Sequence, residues 1–271
     1  MVVQHNMQAV NTNRMLGMNV KAVAKTTEKL SSGYAVNRAG DDAAGLSISE
    51  KMRNQIRGLN QAVKNSEDGI SLIQTAEGNM NEIHSILQRM GELAIKSRND
   101  VNASEDRRSI NDEIVQLKSE ISSITKKAEF NGTKLLNGDM SAGKDLQVGA
   151  NMGETMKISI KGTSLSNLGL TNTTVSTALG ASAAIGAIQS AIKNVSAQRS
   201  LLGAVQNRLE YTINNLENYS ENLTSAESQI RDTDMAAEMV TFSKNQILQQ
   251  AAQSMLAQAN QSNQGVLSVL Q

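Results

Sequence analysis

Along most of the chain, apolar residues recur at steps of three and four, the spacing of one face of a helix. The longest series runs Met52, Ile56, Leu59, Val63, Ile70 and Ile73, with Ser66 filling one slot. After a phase slip it resumes at Met80, Ile83, Leu87, Met90 and Ala94. The period is near 3.5, as in helices that pack side by side. The pattern predicts one helix over 43–97, on the order of 80 Å long. A helix of that length needs partners of similar length. One is predicted from about Ser104, read as an N-cap with Glu105 and Asp106 in its first turn. Its seam is Ile110, Ile114, Leu117, Ile121, Ile124 and Ala128. The other is predicted over 181–230, with Ile185, Ile188, Ile192, Val195, Leu202, Leu209, Ile213, Leu216, Leu223 and Ile230 in one frame. Arg199 and Gln206 occupy polar slots of that frame.

Both chain ends read as amphipathic helices. Residues 3–31 carry Met7, Val10, Met18, Val23 and Leu30 near one face, and Gly33 and Gly40 end the helix. Asp41 and Asp42 then stand where the long helix begins, at its positive end. A metal reading of that pair lacks a third ligand. Beyond Arg231-Asp232-Thr233-Asp234, a plausible hinge, the last segment carries Met235, Met239, Phe242, Ile247, Ala251, Met255, Leu256 and Ala259 on one side. After Lys244 it has no charged side chain, and Gln, Asn and Ser fill its polar face, which tolerates burial against other polar protein surface. Neither end can bury its stripe alone. They are expected to pair with each other and then with neighbouring molecules, and to be largely disordered when isolated in water.

The remaining stretch is different. Asn131-Gly132 and Asn137-Gly138 are turn dipeptides. Leu146, Val148, Ile158 and Ile160 alternate with polar residues around an Asn151–Gly153 turn, which predicts a short β-hairpin. Residues 162–178 are rich in Ser, Thr, Asn and Gly and read as loop. Gly69 and Gly78 inside the long helix each weaken it by roughly 1 kcal/mol relative to Ala, and are read as points of close approach.

Composition fits this picture. Only 2% of the 271 residues are aromatic, against 39% hydrophobic overall, so the core is built of aliphatic seams. Pro is absent, which suits long uninterrupted helices. Cys is absent too, which excludes a disulfide framework and thiolate chemistry. Twenty-six basic residues balance 26 acidic ones, so no electrostatic footprint for nucleic acid is evident. The N-terminus lacks a basic segment followed by an apolar one, and no apolar run is long enough for a membrane span. No nucleotide loop, dinucleotide fingerprint or metal-ligand cluster is present. His5 and His84 stand alone in sequence, and His84 reads as packed. Glu77, Glu82 and Glu92 read as a solvated helix face. No residue set suggests an enzyme. Thirteen methionines suit seam packing or, as the other use of the residue, an adaptable binding surface.

The stretch L-S-S-G-Y-A-V-N-R-A-G-D-D-A-A-G-L-S-I-S-E-K-M-R-N-Q-I-R-G-L closely resembles bacterial flagellin. The likeness continues through N-S-E-D-G-I-S-L-I-Q-T-A-E-G at 65–78 and E-F-N-G-T-K-L-L-N-G at 129–138. It returns at L-G-A-V-Q-N-R-L-E-Y-T-I-N-N-L, E-N-L-T-S-A-E-S-Q-I-R-D-T-D-M-A-A-E-M and Q-A-N-Q at 258–261. The resemblance implies a mainly α fold: an elongated helical bundle or coiled-coil rod with a small β-hairpin region. It divides the chain into 1–42, the N-terminal helix of an inner filament core; 43–180, the first rod helices and hairpin; 181–230, the last rod helix; and 231–271, the C-terminal core helix. Residues 139–180 are too few for outer variable domains, so the form is minimal.

The resemblance also implies a function and partners. The subunit polymerises with itself into the flagellar filament for motility. It is secreted by the flagellar type III route without a cleaved signal peptide and resides in the extracellular flagellum. It binds a secretion chaperone through its C-terminal helix and meets the cap and hook-junction proteins. Met239, Phe242, Ile247, Met255 and Leu256 are the candidates for polymerisation and chaperone contact. A host Toll-like receptor that senses flagellin is a further partner. L-Q-R-M-G-E-L-A-I-K-S at 87–97 is similar to the family's receptor-contact region, with Arg89 and Leu93 central and Glu113 on the following helix. Gly91 stands where receptor-active relatives often carry Arg. A hook–filament junction protein with the same ends is the structural alternative. A secreted monomeric helical adhesin or immune ligand is the alternative of another class.

Overall fold

The computed structural model describes residues 6–269, with side chains to residue 262. Five helices and two antiparallel strand pairs are formed among them. Helix α1 spans Met7–Ser32, α2 Ala43–Arg98, α3 Ser104–Lys127, α4 Ala178–Arg231 and α5 Met235–Val269. The strands are β1 Glu129–Phe130, β2 Thr133–Lys134, β3 Lys144–Gln147 and β4 Thr155–Ile158. Contacts divide the chain into two units. A terminal unit takes the residues up to Asn54 and from Glu221 onward; a central unit takes Gln55–Ser220. The link after α1 thus falls in the terminal unit, and the division lies inside α2 and α4.

Helix ends follow their local chemistry. The Asn6 side chain accepts the Ala9 N–H at 3.0 Å and caps α1. Gly33 ends α1 in the left-handed region, at φ 76°. Asp42 Oδ1 accepts the N–H groups of Ala44 and Gly45, both at 3.0 Å, at the start of α2. Asp234 does the same for Ala236 and Ala237 in α5. Ser104 is not a cap. It is the first residue of α3, Ala103 stands at the cap position, and the Asp106 carboxylate accepts the Ala103 N–H at 3.1 Å. Ala103 has no acceptor to return, so only this half of a capping box exists.

In the central unit α2 presents one unbroken stripe. Leu59, Ala62, Ser66, Gly69, Ile73, Ala76, Met80, Ile83, Leu87, Met90, Ala94 and Ser97 are all buried, at alternating steps of three and four. The expected phase slip does not exist. Val63 and Ile70 are only half-buried, and small residues hold the slots assigned to them. The same correction applies to α4: Ala184, Ala191 and Gln198 lie in the buried column, while Ile185 and Ile192 flank it. From α3, Ile110, Ile114 and Ile121 are buried, while Leu117 and Ile124 are half-buried.

Asn131 and Gly132 both take positive φ, 46° and 74°, and turn β1 back onto β2. Strands β3 and β4 pair from Lys144↔Ile158 to Gln147↔Thr155, the expected hairpin. It lies against α2. A Cβ on Gly58 would come within 2.9 Å of the Ala150 Cβ, and one on Gly69 within 2.5 Å of Leu146 Cδ2. Gly69 is therefore a point of close approach. Gly78 is not, since nothing lies within 4 Å of its absent Cβ. Residues 162–178 contain no helix or strand before α4 begins, as composition indicates, yet they are part of the core. Leu168, Leu170 and Val175 are buried. Ser97 Oγ donates to the Val175 carbonyl at 2.6 Å, and Lys118 Nζ donates to that of Thr173. Burial of the Lys118 ammonium pulls its pKa below the usual lysine value.

Candidate interaction surfaces

In the terminal unit α1 and α5 form an antiparallel pair. The Asn6 amide donates to the Ala259 carbonyl at 3.0 Å, and the Asn19 amide to that of Leu248 at 3.3 Å. Met7–Ser32 and Met235–Val269 are paired with each other, as expected of two stripes that neither helix can bury alone. The faces they share match the expected ones only in part: Val23, Leu30, Phe242, Leu256 and Ala259 are half-buried or buried, whereas the methionines and Ile247 are not. The cap residue Asn6 and, on α1, Ala9, Thr12, Leu16, Asn19, Val23 and Thr26 form one series of half-buried or buried positions, and Ala22, Glu28, Lys29 and Leu30 are half-buried beside it. On α5 the series is Glu238, Phe242, Asn245, Gln249, Ala252, Leu256 and Ala259. Each series steps by three and four, but most of its members are polar or small. Of the uncharged Asn and Gln of α5, among the described residues, only Asn245 and Gln249 are half-buried, while Gln246, Gln250, Gln253 and Gln258 are exposed.

Most of the large apolar side chains lie elsewhere. Met7, Val10 and Met18 of α1 are 70%, 62% and 59% exposed. Met239, Ile247 and Met255 of α5 are 49%, 66% and 62% exposed, and Met235, Val240 and Leu248 are exposed with them. The C-terminal site candidates are thus split. Phe242 and Leu256 are half-buried on the side toward α1, whereas Met239, Ile247 and Met255 face outward.

A fixed joint connects these helices to their neighbours in the same unit. The Ala35 N–H donates to the Arg231 carbonyl at 2.7 Å, and the Thr233 N–H to that of Gly33 at 2.9 Å. The Arg231 guanidinium lies 4.4 Å from the Tyr34 ring centre, a cation–π distance. It also meets Glu50 Oε1 at 3.3 Å. The 231–234 stretch is therefore a pinned corner rather than a free hinge. Asp41 accepts N–H groups from Asn37 and Arg38 and meets Lys25 Nζ at 2.9 Å. It and Asp42 serve different partners, the one in the turn and the other at the α2 N-terminus.

In the central unit Arg89 bridges two helices. Its Nε and Nη2 donate to Glu113 Oε1 at 3.1 and 2.9 Å, and its Nη1 to Glu92 Oε2 at 3.2 Å. The Glu113 carboxylate, then that of Glu92, holds the guanidinium proton more firmly than usual. The pair borders an open groove of about 670 Å³ that also takes in Lys96 and Asp106. Leu93 lies under it, only 3% exposed, as part of the core. Arg89 and Glu113 therefore meet solvent and Leu93 does not. A Cβ on Gly91 would touch only Ile188 Cγ2, at 3.7 Å. Glu92, read from sequence as a solvated face, belongs to this cluster; its i,i+3 spacing from Arg89 was the available signal. His84 is half-buried, with Nε2 3.1 Å from the Gln88 amide nitrogen. His5 lies outside the described residues.

The profile of the bacterial flagellin N-terminal helical region matches residues 3–141, and that of the C-terminal helical region matches 185–270. The chain belongs to the bacterial flagellin family. It is 53% identical to a flagellin of Halalkalibacterium halodurans and 48% identical to one of Bacillus subtilis, each over the whole of both chains. It is 46% identical, again over both whole chains, to the flagellar filament 31.3 kDa core protein of Treponema maltophilum. Full coverage of these relatives agrees with a minimal flagellin without outer domains. Among solved structures, Bacillus cereus flagellin matches 56% of this chain and 88% of its own, with 31% identity and a TM-score of 0.52. A putative hook-associated protein of Vibrio parahaemolyticus shares the fold, with a TM-score of 0.60 over 71% of this chain and all of its own, at 14% identity. The mainly helical architecture with small strand pairs is thus that of the flagellin family. Among the described residues no helix is long and apolar enough to cross a membrane, and no group of three His, Cys, Asp or Glu is placed to hold a metal ion.

Proposed function

We propose that this chain is a structural subunit that polymerises into the bacterial flagellar filament for motility, and that the outward faces of α1 and α5 make the contacts between subunits. One observation carries this reading. The two helices share a face on which polar and small residues outnumber the large apolar ones, Leu16, Val23, Phe242 and Leu256, and they leave Met7, Val10, Met18, Met239, Ile247 and Met255 exposed. An apolar surface this extensive on a soluble chain marks an interaction site. Family membership makes a second copy of the chain the occupant. Before assembly the C-terminal face is the site for a secretion chaperone, followed by export through the flagellar type III route and addition beneath the cap, on a base of hook-junction proteins. Removal of residues 245–271 is the test. The truncated chain is expected to add nothing to filament seeds under the electron microscope, while its central unit melts as before. Normal filaments from it overturn the assignment, and a full-length chain that never elongates seeds favours the monomeric adhesin or immune ligand.

A second reading concerns the groove at Arg89. Arg89 and Glu113 are its candidate contacts for the host Toll-like receptor, with Leu93 shaping the floor from beneath. Support comes from their joint exposure beside an open groove. Arg89→Ala is expected to lower a receptor reporter signal without altering seeded growth; an unchanged signal removes the residue from the receptor site.

A further inference from the structure

Most methionines divide between the two units by exposure, apart from the half-buried Met52 of the terminal unit and the fully exposed Met152 of the central one. Met80, Met90, Met140 and Met156 of the central unit are at most 8% exposed. In the terminal unit Met7, Met15, Met18, Met235, Met239 and Met255 are between 45% and 70% exposed. The chain has no Cys and no Trp. A two-electron oxidant therefore meets no thiol or indole first, and exposed thioethers are the most readily oxidised groups it finds. We propose that these six methionines form a peroxide-sensitive switch: their oxidation to sulfoxide takes the unassembled chain out of polymerisation, and their reduction returns it. The inference rests on the filament reading of the previous section.

The chemistry is balanced. A sulfur lone pair attacks one oxygen of hydrogen peroxide, the S–O bond forms as O–O breaks, and proton transfer releases water. The thioether is oxidised by two electrons and the peroxide reduced by two. A thiol-dependent sulfoxide reductase reverses the step, losing the oxygen as water and forming a disulfide in the reductant. The sulfoxide is a polar group with a strong acceptor oxygen. Closing it into an apolar contact between subunits strands that acceptor without a donor, which disfavours burial. The buried methionines are shielded, so the central fold is left intact. Met152, fully exposed at the β3–β4 turn and in the other unit, is an internal control for oxidation without loss of assembly.

The experiment treats the full chain with hydrogen peroxide, maps sulfoxides by mass spectrometry and follows seeded elongation by light scattering. Sulfoxide is expected at the six sites and Met152 in the free chain, with elongation slowed roughly tenfold or more. Preformed filaments are expected to gain sulfoxide at Met152 but not at the six. A chain with all six changed to Leu, which keeps apolar volume, is expected to elongate after the same treatment. Should that variant fail to assemble untreated, reductase treatment of the oxidised native chain is the readout, with restored elongation expected. Fully oxidised chain that elongates at the untreated rate overturns the switch. So does chain that stays inactive once the sulfoxides are removed. Untreated native chain that never elongates overturns the filament reading instead, and the switch with it.

Discussion

The terminal and central units are made of the same kind of helix and use it in opposite ways. In the terminal unit the buried hydrophobic residues, among those described, are Val36 and Ala259 alone. Among the described residues, twelve of the twenty exposed large hydrophobics lie in that unit. The central unit buries Ile73, Met80, Ile83, Leu87, Ile114 and Ile121 almost completely, together with the Leu135–Leu136 pair and Leu170. It is a finished fold, stabilised by its own core. The terminal unit holds its shape through caps, side-chain amides and a pinned corner, and keeps its apolar groups outward. The difference separates residues selected for folding from residues available to another molecule.

Truncation in the core should show the largest contrast. Leu87 is fully buried, and Leu87→Ala is expected to cost about 2–5 kcal/mol of central-unit stability, read from urea melts by circular dichroism. Met18→Ala, at an exposed site, is expected to shift monomer stability by no more than about 0.5 kcal/mol. Its effect belongs instead in seeded elongation, which it should slow. Equal losses of monomer stability from the two changes erase the distinction between the units.

Much of this was legible in the sequence, and the failures have a common cause. The helices, the hairpin and the seams are carried by spacing, which the chain advertises clearly. The frame of α2 differs from the pattern of its large side chains. Val63 and Ile70 look like seam residues, whereas Ala62, Gly69 and Ala76 are the buried ones. Small residues carry little hydrophobic signal, yet a closely approaching neighbour such as Leu146 requires them. The terminal helices mislead in the opposite way. An apolar stripe marks the inner face only when its partner lies in the same chain. The Arg89–Glu113 pair, separated by a whole turn region, comes from family likeness rather than spacing, and of the three receptor candidates Leu93 is the one that packs inside.

Backbone approach offers a finer test at about 1 kcal/mol. Gly58→Ala brings a Cβ to 2.9 Å from the Ala150 Cβ and 3.4 Å from its Cα. Neither atom can swing away, so the hairpin must shift, and a loss of about 1–2 kcal/mol is expected despite the better helix former. Gly78→Ala meets nothing within 4 Å and is expected to gain about 0.5–1 kcal/mol. Thermal melts of the two variants should move in opposite directions. A gain at both positions means the hairpin does not lean on α2 as described.

The smallest effect concerns the terminal unit and pH. Lys25 holds the Asp41 carboxyl below its usual value of 3.8, helped by the Arg38 and Asn37 N–H groups, and Asp41 in turn raises Lys25 above 10.5. A depressed carboxylate contributes stability above its unfolded pKa and loses it as pH falls through the folded one. A raised ammonium contributes below its unfolded pKa and loses it as pH climbs through the folded one. The pair is therefore complete between those limits. In acid the 37–41 turn should loosen first, because the carboxyl there ceases to be the charged acceptor of two amides. Amide exchange at Arg38, corrected for its intrinsic pH dependence, is expected to step up as pH drops below the carboxylate range. In Asp41→Asn that step should vanish and exchange should be fast throughout. Central-unit melting should ignore the substitution, since none of its buried residues depends on this pair. A melting shift there of the same size as the exchange change contradicts the independence on which the comparison of the two units rests.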